Sequence, residues 1–188
     1  MPKADFRRVG GDRGTAPDVP VLETARLSLR RLSLDDAEFI LGLLNEPSFL
    51  RHIGDKGVRT KVDACQYIST GPRASYERFG FGLLLVELKA GKEPIGICGL
   101  LKRDWLDHAD LGFAFLPRFW SKGYAFESAS GVLAYARGTL GLKRILAITS
   151  QDNAASIGLL EKLGFRLERM ARPSEAESEV KVFASDVK

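Results

Sequence analysis

Apolar and polar residues alternate from Arg26 through Leu27, Ser28 and Leu29 to Arg30, a period of two that predicts a half-buried strand. The period then changes. Ala37, Ile40, Leu41 and Leu44 recur at helical spacing behind Ser33 and Asp36, a pair that reads as a capping box, and Asn45-Glu46-Pro47 ends the helix. Thr60 and Asp63 announce a second helix in the same way, expected to run to Ile68, break at Gly71-Pro72 and resume briefly around residues 74–78. Phe81 to Leu88 and Pro94 to Leu101 are apolar runs joined by Lys89-Ala90-Gly91-Lys92-Glu93, which predicts an antiparallel hairpin.

A further strand is expected from about Ala109 to Phe115. A helix follows, with Phe126, Ala129, Leu133 and Ala136 on one face and an end near Gly138 and Gly141. Lys143 to Ser150 reads as a strand, Asn153 as the N-cap of another helix, and Phe165 to Met170 and Val180 to Ala184 as two closing strands. The order predicts an α/β (α+β) protein: one mixed, mostly antiparallel twisted sheet of about seven strands with helices on both faces. Residues 1–20, rich in Gly, Asp, Arg and Pro, are expected to form a flexible arm, and residues 21–188 the domain.

Composition narrows the picture modestly. A chain of 188 residues with 45% hydrophobic residues suffices for one substantial core, and a net charge of +4 with both signs interspersed does not announce a nucleic-acid binder. Cys65 and Cys98 lack metal-ligand spacing, so no metal is expected and both read as buried thiols. No apolar run approaches a membrane span and no signal-peptide pattern opens the chain, so the expected location is the cytoplasm, with no membrane partner.

The chemistry concentrates after Phe115. An apolar strand stops at Pro117 and reaches a helix through Ser121-Lys122-Gly123-Tyr124-Ala125. Such a turn leaves successive backbone N–H groups unpaired at the positive end of a helix dipole, which suits a diphosphate. Lys122 and Arg118 could add charge. Glu127, in the helix's first turn, is accounted for by the dipole alone.

From Phe113 to Ala125 the chain resembles the acyl-CoA signature of the GCN5-related N-acetyltransferase (GNAT) superfamily: apolar strand, proline, then Arg/Gln-x-x-Gly-x-Gly/Ala. Trp120 stands where Arg or Gln would be. Together with Asn153-x-x-Ser156 before Leu160-Glu161-Lys162-Leu163-Gly164-Phe165, the pattern is similar to the RimJ/RimL-type branch of ribosomal-protein N-terminal acetyltransferases. The resemblance spans roughly Leu22 to Asp186. It implies the single-domain acyl-CoA N-acyltransferase fold, acetyl-CoA as co-substrate, and a gap between strands that admits pantetheine as an added strand. Phe115 would then supply main-chain contacts, Ser121, Lys122, Gly123, Tyr124 and Ala125 the diphosphate donors, and Asn153 a contact to the pantetheine arm.

The family's usual proton donor to the departing thiolate is a tyrosine, at the position held here by Leu160. Ser156, one turn earlier, is the substitute, since a hydroxyl can hydrogen-bond a leaving sulfur whose pKa lies near 8.5. Asp110 is the first candidate for base or water-holder, His108 the second. The loop 103–107, with Trp105, is expected on the acceptor side. An α-amino group with a pKa of about 7.7 to 8.0 is roughly a tenth neutral at pH 7, whereas a lysine near 10.4 is neutral about four times in ten thousand. The expected reaction is therefore direct acetyl transfer to a primary amine, foremost a protein or peptide N-terminus, by a monomer or homodimer. A small-molecule amine acetyltransferase and a non-catalytic acyl-CoA-binding module are the alternatives.

Overall fold

The computed structural model describes residues 19–174 and 178–186. The arm expected over residues 1–20 therefore lies, but for its last two residues, outside the described residues. Eight strands form one sheet in the order β1-β2-β3-β4-β5-β6-β8-β7. They are β1 (Pro20–Glu23), β2 (Leu27–Arg31), β3 (Leu83–Leu88), β4 (Pro94–Leu101), β5 (Asp110–Phe115), β6 (Arg144–Ser150), β7 (Arg166–Ala171) and β8 (Val180–Asp186). Every neighbouring pair is antiparallel except β5 and β6. The strand that pattern reading missed is β1: four residues with no clean alternation give too short a signal.

Both capping boxes form. Ser33 and Asp36 exchange side-chain bonds at a short 3-10 turn leading into α1 (Ala37–Leu44), and Thr60 and Asp63 do so at α3 (Lys61–Ile68). α1 stops with Asn45 as its C-cap, as expected. Pro47 then opens α2 (Pro47–His52) at the first helical position, where its missing N–H is harmless. Pro72 corrects an expectation, because the helix does not break there. A π-helical turn, Ser69–Arg73, joins α3 directly to α4 (Ala74–Phe79). The wider turn accommodates the proline ring, while Ser69 and Thr70 hydroxyls donate to the Cys65 and Gln66 carbonyls at 2.9 Å.

One sheet face carries α5 (Tyr124–Gly138) and α6 (Ala154–Lys162), which bury Ala129, Val132, Leu133, Ala136 and Leu160 against Leu27, Leu29, Leu111 and Phe115. Phe126 is the exception to the expected face, 44% exposed at the helix start. The other face is covered by α1, α2 and α3, with Ile40, Leu44, Phe49 and Ile68 packed on Leu83, Leu85 and Ile97. Buried charge ties that layer to the sheet. Arg30 on β2 donates to both oxygens of Asp36 at 2.8 and 2.9 Å and twice to Glu87 on β3 at 2.9 and 3.0 Å. Among the described residues no helix is long and apolar enough to cross a membrane.

Candidate active site

The parallel pair β5 and β6 is the discontinuity in the sheet. It is registered only at Asp110 opposite Leu146, where Leu146 N–H donates to Ala109 O at 2.9 Å, and beyond that point the ladder ends. Strand alternation then decides which groups face the opening. Leu116 N–H donates to Ile95 O on the β4 side, while Ala109 O faces β6. The main-chain groups of Leu111, Phe113 and Phe115 therefore turn toward β6. A splayed parallel pair with unpaired strand backbone is a slot for an extended ligand bearing amides.

At the carboxyl end of β5 a 3-10 turn, Pro117–Phe119, leads into the turn before α5. Ser121 and Gly123 both take positive φ, 58° and 81°. Among the described residues, no protein acceptor faces the main-chain N–H groups of residues 121–126; the nearest flanking donors, Trp120 N–H and Glu127 N–H, go to Pro117 O and Gly123 O. Open donors in such alternating backbone at the start of a 15-residue helix form an anion cradle. Gly123 is demanded by its backbone: φ is left-handed, and a Cβ there would meet the Arg26 guanidinium at 3.3 Å.

Cations surround the cradle. Lys122 Nζ sits 5.4 Å from the Phe119 ring centre, and Arg118 pairs with Glu93 at 3.1 Å. Trp120, in the place of the family's Arg or Gln, is 48% exposed and donates its indole N–H to Phe115 O at 2.8 Å. One of the Phe115 main-chain groups expected to meet pantetheine is thus already engaged, which leaves its N–H and the Phe113 groups on that side.

The carboxyl end of β6 supplies the other wall. Asn153 caps α6, its Oδ1 accepting from Ser156 N–H at 3.1 Å. Its side-chain NH2 and the half-buried Ser156 hydroxyl have no protein partner among the described residues. Both thus lie at the end of β6 beside the opening, across from the cradle at the end of β5. Leu160 is 1% exposed in the core, so its side chain contributes packing rather than chemistry.

Asp110 lies at the apex of the split, on the opposite sheet face from Leu111 and Phe115. It is fully buried, and Arg103 Nε donates to its two oxygens at 3.1 and 3.2 Å. Burial pushes its pKa up, against the attraction of Arg103. A carboxylate so enclosed is not positioned to meet an incoming amine in this geometry. His108 is exposed on the loop before β5. Trp105 packs beside Leu106, whose side chain is buried on Leu146 and Val182 and pins this loop over the sheet.

Three groupings escaped sequence reading. Glu127 is more than a dipole partner, accepting from Thr24 Oγ1 at 2.6 Å, Arg26 N–H at 2.8 Å and Arg26 Nε at 2.7 Å. Burial would raise its pKa, but these bonds outweigh it and hold the carboxyl below its usual range. Arg51 and His52, at the end of α2, reach Asp152 at 3.3 and 3.8 Å, and His52 Nδ1 lies 3.4 Å from Ser150 Oγ, so the α2 layer touches the turn that carries Asn153. Arg103 with Asp110 is the third. Each joins residues from different elements, which no local pattern reports.

Comparison with known proteins agrees with this geometry. The family model for the acetyltransferase (GNAT) domain matches residues 26–166. The uncharacterized N-acetyltransferase YoaA of Bacillus subtilis (strain 168) is 34% identical over 156 residues, covering 81% of this chain and 86% of its own. The crystal structure of an acetyltransferase from Agrobacterium tumefaciens str. C58 superposes with a TM-score of 0.76 at 24% identity, covering 94% of this chain and all of that one. RimL, a ribosomal L7/L12 alpha-N-protein acetyltransferase solved with coenzyme A, superposes with a TM-score of 0.77 at 17% identity, over 90% and 98% of the two chains. The split sheet, the open cradle and the family match lead to one conclusion: the chain belongs to the GNAT superfamily and is an acetyl-CoA-dependent N-acetyltransferase.

Proposed function

We propose that the enzyme acetylates the α-amino group of a peptide or protein N-terminus, by direct attack in a ternary complex. The observation that carries this reading is the enclosure of Asp110 by Arg103, which leaves the apex of the split without an open carboxylate. Without a strong base, an acceptor that is already partly neutral at pH 7 is favoured, and the α-amine exceeds lysine in neutral fraction by more than a hundredfold. The likeness to RimL, a ribosomal L7/L12 alpha-N-protein acetyltransferase, supports the same class and the RimJ/RimL-type branch.

In this scheme the N–H groups of Ser121, Lys122, Gly123, Tyr124 and Ala125 hold the diphosphate, the strand groups of Phe113 and Phe115 pair with the pantetheine amides, and the Asn153 NH2 adds a further donor. Acetyl-CoA supplies the activated thioester. The neutral amine attacks the carbonyl carbon, the C–S bond breaks, and the Ser156 hydroxyl donates a hydrogen bond to the departing sulfur while the ammonium proton passes to solvent. Asp110 acts by holding Arg103, and Cys98, deeply buried and with its pKa pushed up to about 12 by burial, forms no acyl-enzyme. The proposed setting is the cytoplasm, in keeping with two cysteines that remain thiols.

A thiol-release assay tests the acceptor with three amine groups: peptides with a free N-terminus, the same peptides N-blocked but containing lysine, and small amines such as spermidine and an aminoglycoside. Turnover confined to free N-termini is expected. Turnover confined to small amines would replace this reading with the small-molecule one, and binding of acetyl-CoA without turnover on any amine would reduce the chain to a binding module.

A further inference from the structure

The structure assigns Arg26 a role as a positioning residue for the diphosphate cradle, set from a distant strand turn by Glu127. This rests on the reading of residues 121–126 as that cradle. Arg26 lies in the tight turn between β1 and β2, which is itself fixed by Thr24 N–H to Leu27 O at 2.9 Å and Leu27 N–H to Thr24 Oγ1 at 3.1 Å. Two of its guanidinium nitrogens and its ring-facing carbon are engaged. Nε donates to Glu127 Oε2 at 2.7 Å, NH1 donates to Lys122 O at 3.1 Å, and the central carbon stands 4.5 Å from the Tyr124 ring centre.

The bond to Lys122 O is the consequential one. The Lys122–Gly123 peptide is trans, so its carbonyl and its N–H point in opposite directions. Holding the carbonyl toward Arg26 therefore aims the Gly123 N–H away from the β1–β2 turn, among the open donors. Without that hold, a peptide flanked by glycine can rotate, because glycine adopts either sign of φ. Glu127 fixes the guanidinium in turn, with one oxygen on Thr24 Oγ1 and Arg26 N–H and the other on Arg26 Nε. Arg26 stays 49% exposed, so it adds positive charge beside the cradle as well as order.

Lysine would retain the charge but offers a single ammonium in place of a planar fork, and it would not bridge Lys122 O and Glu127 in the same manner. Positioning and simple charge therefore separate experimentally. The test is coenzyme A binding by calorimetry, beside pantetheine binding by NMR titration, because pantetheine occupies the strand slot and lacks the diphosphate. Arg26→Ala is expected to weaken coenzyme A about tenfold or more, as for a lost charge-assisted bond, and to leave pantetheine affinity within about twofold of the parent. Arg26→Lys is expected to recover less than half of that loss on a logarithmic scale.

Parental coenzyme A affinity in Arg26→Ala, an equal loss for pantetheine, or full recovery by Arg26→Lys would each overturn the assignment, the last by reducing Arg26 to bulk charge. Circular dichroism and thermal melting verify folding. Should Arg26→Ala unfold, Glu127→Gln makes the same test, with an expected loss of about threefold for coenzyme A alone. The backbone amide resonances of residues 121–126 separate the two levels. If they shift with coenzyme A while Arg26→Ala binds normally, only the role of Arg26 fails; if they do not shift, the cradle itself is misassigned.

Discussion

Replacing Arg30 by Met keeps an unbranched stem and removes the charge shared by two buried carboxylates. Asp36 and Glu87 are 8% and 9% exposed, and each takes two bonds from the guanidinium, whose own pKa is driven further up, chiefly by the Asp36 bond. Removing one partner of such a buried set costs about 3–5 kcal/mol, because the remaining charges lose their counter-charge without regaining water. Against a typical domain stability of about 5–15 kcal/mol, that is about a fifth or more. With a urea slope of about 2 kcal/mol/M, the unfolding midpoint should fall by roughly 2 M at pH 7 with an unchanged slope. A loss under about 1 kcal/mol at pH 7 would refute the reasoning, since it would mean that the triad is effectively solvated.

Ser156→Ala should lower kcat about 10- to 100-fold while the KM for acetyl-CoA stays within about threefold, and a parental kcat in steady-state kinetics would make Ser156 part of the helix surface only. Trp120→Phe removes the donor to Phe115 O and should cost about 0.5–1.5 kcal/mol in urea unfolding. Unchanged coenzyme A affinity is expected in that variant, and tighter binding would reveal that pantetheine competes for that carbonyl. Asp110→Asn should be at least as stable as the parent at pH 7: a carboxyl raised by burial subtracts stability above its unfolded value of about 3.9, and Arg103, a third exposed, can turn to water. Its advantage should vanish near pH 4, and a loss above about 3 kcal/mol at pH 7 would show that attraction to Arg103 outweighs burial.

Local chemistry was legible where it repeats within a few residues. Ser33 with Asp36 and Thr60 with Asp63 announced two helix starts, the Lys89–Glu93 turn a hairpin, and Asn153 a cap, because each motif satisfies backbone groups three or four positions away. Pro72 and Phe126 misled for the converse reason. A proline signals a missing donor but not the π turn that absorbs it, and a helical period does not report which residues meet solvent at the helix start.

The sequence by itself determined the order of the elements other than β1 and α2, the glycine turn after β5 and the family to which that turn belongs. Tertiary structure alone decided that β5 and β6 part after Asp110, that Trp120 occupies the Phe115 carbonyl, that Asp110 is enclosed by Arg103, and that Glu127 reaches Thr24 and Arg26 about a hundred residues away. The physical reason is range. Backbone satisfaction and hydrophobic period act between near neighbours, whereas a carboxylate's solvation, and hence its chemistry, depends on whichever distant side chains the sheet brings against it.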